Sequence, residues 1–526
     1  MTDHNHPVTN EALAQQVYHS SPEQLVDDLP VLFNPNTGYA SSLIHFPNSR
    51  QARVLANILV LIEGSIGQTE EGSHLRTSLG KQAAGLAIKA FTAYEDKDIE
   101  PKITLADQAG QLAELIASPD EKIYTLLDVT SNIVQTAGNQ PFAFAGLVDR
   151  CLDEAANTAL THEDGLASRS FILTSVAEKS AGAVDWLTKA DGDEPEKGLG
   201  LSLSLAMSER TVQLYTEALG IIKKQEVAGT RVHEQSRVAI SMVKAAAQIY
   251  GTNQELGRQL INMATEEIAN VILAYRQDRD LAKLQDGQKC FKLADFGKQM
   301  AAAIGHSYDP EAAEAAEINP VIDKVFDVFD EANDYAGDVS RRSFWDRLFK
   351  DKDRLSNSYD YAGQAAISLL DLDYDSALGL LGVSYDLAKT QEENDEGWRG
   401  DKAETNDVLD RIRNLAKNQA SVERGFAMFW FADDLVVNYA SEGENIGFEQ
   451  GHNYHGVLDY LYNAEPQEVA LDELRPEFVE KIIKFAGANV TYFVPLRILR
   501  NRYMANPSLI AEADKLLADL SARRAI

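Results

Sequence analysis

Prolines are absent from two long stretches of the chain, between Pro195 and Pro310 and between Pro320 and Pro466. Several of those that remain follow directly on a helix-capping residue. A proline inside a helix removes a hydrogen bond and clashes with the preceding turn, whereas at the first helical position its missing N–H is not needed. Ser21-Pro22, Ser118-Pro119, Asp309-Pro310, Asn319-Pro320 and Asn506-Pro507 each place a side-chain acceptor just ahead of such a proline. Ser21 with Gln24, Ser118 with Glu121 and Thr252 with Glu255 have the spacing of capping boxes. This punctuation predicts a chain built from helices.

Between the stops the apolar residues keep the helical period. Leu79, Ala83, Ala87 and Phe91 fall four apart within a helix expected over 70–94, and Leu256, Leu260, Met263, Ile268, Ile272 and Tyr275 continue the pattern later. Leu201, Leu203 and Leu205 alternate with serines as a strand would. Leu201, Leu205, Val212, Tyr215, Leu219 and Ile222 also form a helical stripe, and the segment is read as helix. Helices are expected near 9–19 and 22–33, then one after another to 507–523, with the stretch 476–500 bent or broken at Pro495. A helix apolar on one side must bury that side against a neighbour. The expected fold class is therefore all-α, an extended array of antiparallel amphipathic helices, either solenoid-like or divided into several packed bundles. Charge, glycine and proline concentrate at 191–198, and Gly305, two prolines and an alanine/glutamate run interrupt the pattern at 305–320. These breaks suggest an N-terminal arm over 1–48, helical subdomains over 49–190 and 199–305, and a C-terminal subdomain over 320–526.

Residues 361–384 are similar to one tetratricopeptide repeat. Tyr361, Ala365 and Ala377 fall on its aromatic and small positions, and Asp373-Tyr374-Asp375 on its inter-helix turn. Gln364 stands in place of its leucine, Ser384 in place of its second alanine, and the terminal proline is missing. One such unit establishes no family. The tetrad Asp-Tyr-Ala-Gly at 334–337 and 360–363 diverges immediately afterwards.

The net charge of −32 bears on partners more than on fold. Such a surface repels nucleic-acid phosphates and anionic lipid, so the expected partner is a protein, basic in character, and not a nucleic acid. The apolar runs Val54 to Ile62 and Phe426 to Ala432 fall short of the roughly 20 residues a membrane-spanning helix needs, so no transmembrane segment is expected. Two distant cysteines, Cys151 and Cys290, offer no disulfide framework or zinc ribbon, and with a polar start to the chain they point to the cytoplasm.

Motifs that would name a reaction or a cofactor are missing: there is no Gly-x-Ser-x-Gly, His-Glu-x-x-His or Gly-x-Gly-x-x-Gly. Asp371, Asp373 and Asp375 start like a calcium loop, but Ser376 and Gly382 replace the turn glycine and the bidentate glutamate. Two constellations remain. His452 and His455, with Asp459 one turn on, share a face if helical and could hold a transition metal, although the glycines on either side suggest a loop-to-helix junction. Arg341, Arg342, Arg347 and Lys350 surround Phe344 and Trp345 in a basic amphipathic stretch over 341–355. That stretch is expected to clasp the protein's own acidic surface, with docking onto an anionic membrane surface or onto an acidic partner as the alternatives. An array of helices without catalytic constellations is read as a non-enzymatic protein-binding scaffold or adaptor. A metal-dependent enzyme centred on His452 and His455, and a peripheral membrane protein docking through 341–355, are the alternatives.

Overall fold

The computed structural model describes residues 10–33, 43, 48–94, 99–138, 140–161, 166–190, 194–340, 357–395, 403–439 and 446–524. Among these there are 22 α-helices, three short 3-10 helices and no strand. The chain divides into two compact units, one formed by Met1–Leu281 with Ser307–Val321, the other by Ala282–His306 with Ile322–Ile526.

The first unit contains α1 (Asn10–His19), α2 (Pro22–Leu32), α3 (Ser49–Gly67), α4 (His74–Thr92), α5 (Ile99–Glu114) and α6 (Pro119–Thr136). It continues with α7 (Pro141–Thr161), α8 (Leu166–Thr188), α9 (Glu194–Ile222), α10 (Ala228–Tyr250) and α11 (Gln254–Gln277). Each helix from α3 onward packs on the next and on the next but one, which is the contact pattern of a two-layer, solenoid-like stack. The arm belongs to this stack, because Leu13 and Val17 of α1 and Leu25, Leu29 and Leu32 of α2 are buried, α1 against α3 and α2 against α4. Leu79, Ala83, Ala87 and Phe91 of α4 are all fully buried, as their spacing predicts. The stretch read as a linker is helical from Glu194 onward.

Two local expectations for this unit need correction. The N-cap of α11 is Asn253, whose Oδ1 accepts from the Leu256 N–H at 3.1 Å, one residue later than the Thr252 to Glu255 box. At the start of α9, Ser204 and Ser208 are buried whereas Leu201 is exposed. The helix meets α8 along a row of small residues, where hydroxyls can turn back on their own helix. Ser208 donates to the Ser204 carbonyl, and on α8 the buried Thr174 donates to that of Ser170, each at 2.7 Å. Close approach therefore decides which face turns inward.

The second unit begins with α12 (Asp286–Ser307) and α13 (Asn319–Ser340). It runs on through α14 (Ser358–Leu369), α15 (Tyr374–Asp395), α16 (Ala403–Lys417), α17 (Val422–Tyr439) and α18 (Ile446–Asn463). It ends with α19 (Leu471–Leu474), α20 (Pro476–Gly487), α21 (Phe493–Arg502) and α22 (Pro507–Arg524). The helices α14 to α18 again pack in sequence, and α18 also contacts α20 and α21. The segment similar to a tetratricopeptide repeat is a helical hairpin, α14 and α15, with Ala365 and Ala377 fully buried between them. Its aspartate-rich turn is a cap: Asp373 accepts from the Ser376 N–H and hydroxyl at 3.1 and 2.8 Å.

Proline punctuation misplaces two boundaries. Asp309-Pro310 opens no α-helix; Asp309 Oδ1 accepts from the Glu311 N–H in a turn leading to a 3-10 helix over Ala313–Ile318. The break within 476–500 lies at Asn489, which caps the 3-10 turn Val490–Tyr492, while Pro495 sits in the first turn of α21 where proline is tolerated.

Candidate functional site

Both histidines and Asp459 lie on α18, and the glycines around them are helical rather than junctional. Gly456 is required by packing. A Cβ there would stand 2.6 Å from Phe429 Cε1 of α17, and one at Gly425 of α17 would stand 2.6 Å from Tyr460 Cζ of α18. Each helix thus gives up a side chain where the other presents an aromatic ring, and the Phe429 and Tyr460 centroids end 6.1 Å apart. The Tyr460 hydroxyl then reaches the Gln419 carbonyl at 3.0 Å, fastening α18 to the turn before α17.

On its inner side α18 is anchored by a buried cation. Arg413 of α16 donates from Nε to Asn453 Oδ1 at 2.7 Å, from Nη1 to Asp410 at 2.8 Å and from Nη2 to Glu449 Oε2 at 2.8 Å. Charge-assisted bonds of this kind fix orientation as well as adding energy. On the α17 side, buried Asp433 accepts from Lys481 Nζ of α20 at 3.1 Å. Burial, and then the Asp433 charge, push the Tyr454 phenol above its ordinary pKa.

These anchors present one face of α18 outward. His452, His455 and Asp459 are exposed along it, so the expected shared face is present. Their side chains have other partners. The His452 ring packs against Phe448 with centroids 4.3 Å apart, His455 Nδ1 is 3.2 Å from the Tyr492 hydroxyl, and Asp459 Oδ1 accepts from Asn463 Nδ2 at 3.4 Å. Among the described residues no group of three or more His, Cys, Asp or Glu side chains is placed to hold a metal ion. What the histidines join instead is an aromatic surface. Phe448 meets His452 at a tilt of 49°, His455 one turn on meets Tyr492, and Tyr492 contacts Phe485 at 5.3 Å between centroids. Phe448 is 54% exposed, and Val490 and Val494 beside Tyr492 are each 40% exposed.

The basic stretch with Arg341, Arg342, Phe344, Trp345, Arg347 and Lys350 lies outside the described residues. Arg413, Asn453 and Tyr492 escaped the sequence reading. The first two carried a signal: Arg413 interrupts the buried stripe Val408, Leu409, Ile412 and Ala416, and Asn453 sits on the apolar side of α18 between the two histidines. A polar residue on a buried face has to find partners there.

No protein-family model matches this sequence, and no curated protein was found to be similar to it. Among solved structures, a circular tandem repeat protein with novel repeat topology and enhanced subunit contact surfaces is 12% identical with a TM-score of 0.31, covering 99% of this chain and 98% of the other. The crystal structure of the APC/C hetero-tetramer Cut9–Hcn1 is 15% identical with a TM-score of 0.17, covering 97% and 94%. At those scores neither bears on function, and the architecture rests on the helices described above.

Proposed function

We propose that the protein is a non-enzymatic scaffold or adaptor, binding a protein partner on an outward face of its helical array. The observation that carries this reading is the aromatic surface running from Phe448 through His452 and His455 to Tyr492, which leaves Phe448 54% exposed. Contiguous apolar and aromatic exposure is the usual mark of an interaction surface, and aromatic residues are enriched at the centres of interfaces. Tyr492 and the two histidines also bring polar edges that hydrogen-bond across a contact. With a net charge of −32 the favoured partner is basic, drawn in by the long-range field. A cytoplasmic setting belongs to the same proposal and is supported by two buried cysteines, Cys151 and Cys290, that are not joined in a disulfide.

The test is affinity capture with the intact protein and with a Phe448→Glu, Tyr492→Ser variant of unchanged thermal stability. A partner held by the parent and released by the variant supports the reading. A partner held equally by both places the interface elsewhere, and stoichiometric metal in the purified protein that disappears on His452→Ala, His455→Ala replacement overturns the scaffold reading in favour of a metal enzyme.

A further inference from the structure

A second feature lies in the first unit, where α10, α11 and the residues just after α9 border a cleft of about 440 Å³. Its lining includes Lys223, Arg231, Gln235, Asn270, Leu273 and Asp278. The charged groups there differ in how far they are already committed. Arg231 donates from Nη2 to Asp278 Oδ2 at 2.7 Å and from Nη1 to the Gln225 carbonyl at 3.0 Å. Asp278 also accepts from the Asp280 N–H at 2.9 Å, so this acid and this base satisfy each other.

Behind them Gln235, only 6% exposed, donates to Glu267 Oε2 at 3.0 Å, and Glu267 itself is 2% exposed. The other Glu267 oxygen lies 3.7 Å from Lys223 Nζ, near enough to offset the buried charge but beyond a hydrogen bond. Lys223 therefore keeps its donors, with its side chain 58% exposed. The side-chain amides of Asn270 and of Gln277, which also lines the cleft, make no hydrogen bond among the described residues. Leu273, 45% exposed, and Ala274 form an apolar wall beside them.

An ammonium donates only, and with the amides of Asn270 and Gln277 lining the same cleft the unfilled donor capacity suits an acceptor, to which a carboxylate brings two oxygens. The overall charge of −32 disfavours multiply charged anions far more than singly charged ones, which points away from phosphate and toward a carboxylate. The apolar wall suits a short aliphatic group attached to it, and the volume suits one or two residues or a small acid. We propose that this cleft binds a carboxylate carrying a short aliphatic substituent, either the C-terminal residue of a peptide or a free aliphatic acid. Lys223 would pair with the charge, Asn270 and Gln277 would donate to its oxygens, and Leu273 would cover the aliphatic part.

Isothermal titration of the full chain at low salt tests this with three probes: the tripeptide Ala-Ala-Leu as free acid, the same peptide as C-terminal amide, and isovalerate. The free acid should saturate with a Kd of about 1 mM or tighter, with the amide at least about tenfold weaker. Lys223→Gln should weaken the acid about tenfold while leaving the far-UV spectrum unchanged, with Asn270→Ala as a second variant moving in the same direction. Isovalerate binding as tightly as the peptide assigns the site to free acids, and binding of the peptide acid alone assigns it to chain ends; both support carboxylate recognition. Equal affinity for acid and amide, no saturation by either acid at about 10 mM, or an unchanged affinity in Lys223→Gln overturns it.

Discussion

Replacing Gly456 by alanine tests the interlock that orients α18. Glycine in a helix interior is about 1 kcal/mol less favourable than alanine, so propensity alone predicts stabilisation. Packing predicts the reverse. The new Cβ would lie 2.6 Å from Phe429 Cε1 and 3.2 Å from Cζ, well inside ordinary carbon contact, and the Phe429 ring is fully buried with Tyr460 nearby. Overpacking of this kind costs about 1–3 kcal/mol, which leaves a net destabilisation of up to about 2 kcal/mol after the propensity gain. Gly382 of α15 is the control in the same unit. A Cβ there meets only Phe431 Cζ at an ordinary 3.6 Å, so Gly382→Ala should stabilise by about 0.5–1 kcal/mol. Differential scanning calorimetry reads both, using the transition that Phe429→Leu also moves. At about 2–4 °C for each kcal/mol the two glycine variants should shift in opposite directions. Combining Gly456→Ala with Phe429→Leu should cost less than the sum of the two, because the smaller side chain vacates the contested space. Stabilisation by Gly456→Ala comparable with that of Gly382→Ala would refute the interlock.

Two further outcomes follow from the charges of the second unit. Burial raises the Asp386 carboxyl above its ordinary range, with Lys389 opposing. The folded state thus holds its proton more tightly than the unfolded chain, and stability falls as pH rises through the folded value. Asp386→Asn should raise the melting temperature at neutral pH, with the gain vanishing in melts well below about pH 3.9. Arg413→Ala strands Asn453 and Glu449 of α18, and urea unfolding should show a loss of about 2–4 kcal/mol. That is below the roughly 3–5 kcal/mol for a fully buried pair, because the Glu449 side chain keeps 21% of its exposure.

Much of the architecture is written in local chemistry. Periodicity in Leu79, Ala83, Ala87 and Phe91, and the Ser21 box in which Gln24 closes the cap, are properties of a few consecutive residues, and the helices form where these say. Helix content and order therefore follow from the sequence by itself, as does the one-sidedness that forces neighbouring helices together.

Other features needed residues distant in the chain to meet. Ser204 turns inward and Leu201 outward because α8 approaches α9 along small side chains, a fact about the partner helix rather than about 201–208. Gly451 and Gly456 read locally as the edge of a loop. In the structure a Cβ at Gly451 would stand 3.5 Å from Phe485 and one at Gly456 2.6 Å from Phe429, so both glycines lie beneath rings that come from other helices. The same holds for the surface on α18. The sequence placed His452, His455 and Asp459 on one helical face and suggested a metal, but the neighbours of those side chains depend on folding. Tyr492, 37 residues beyond His455, arrives within 3.2 Å of its ring nitrogen only because the chain breaks at Asn489 and turns back. Helices come from contacts three and four residues apart, which a sequence displays directly; a surface comes from contacts tens of residues apart, which only tertiary packing selects.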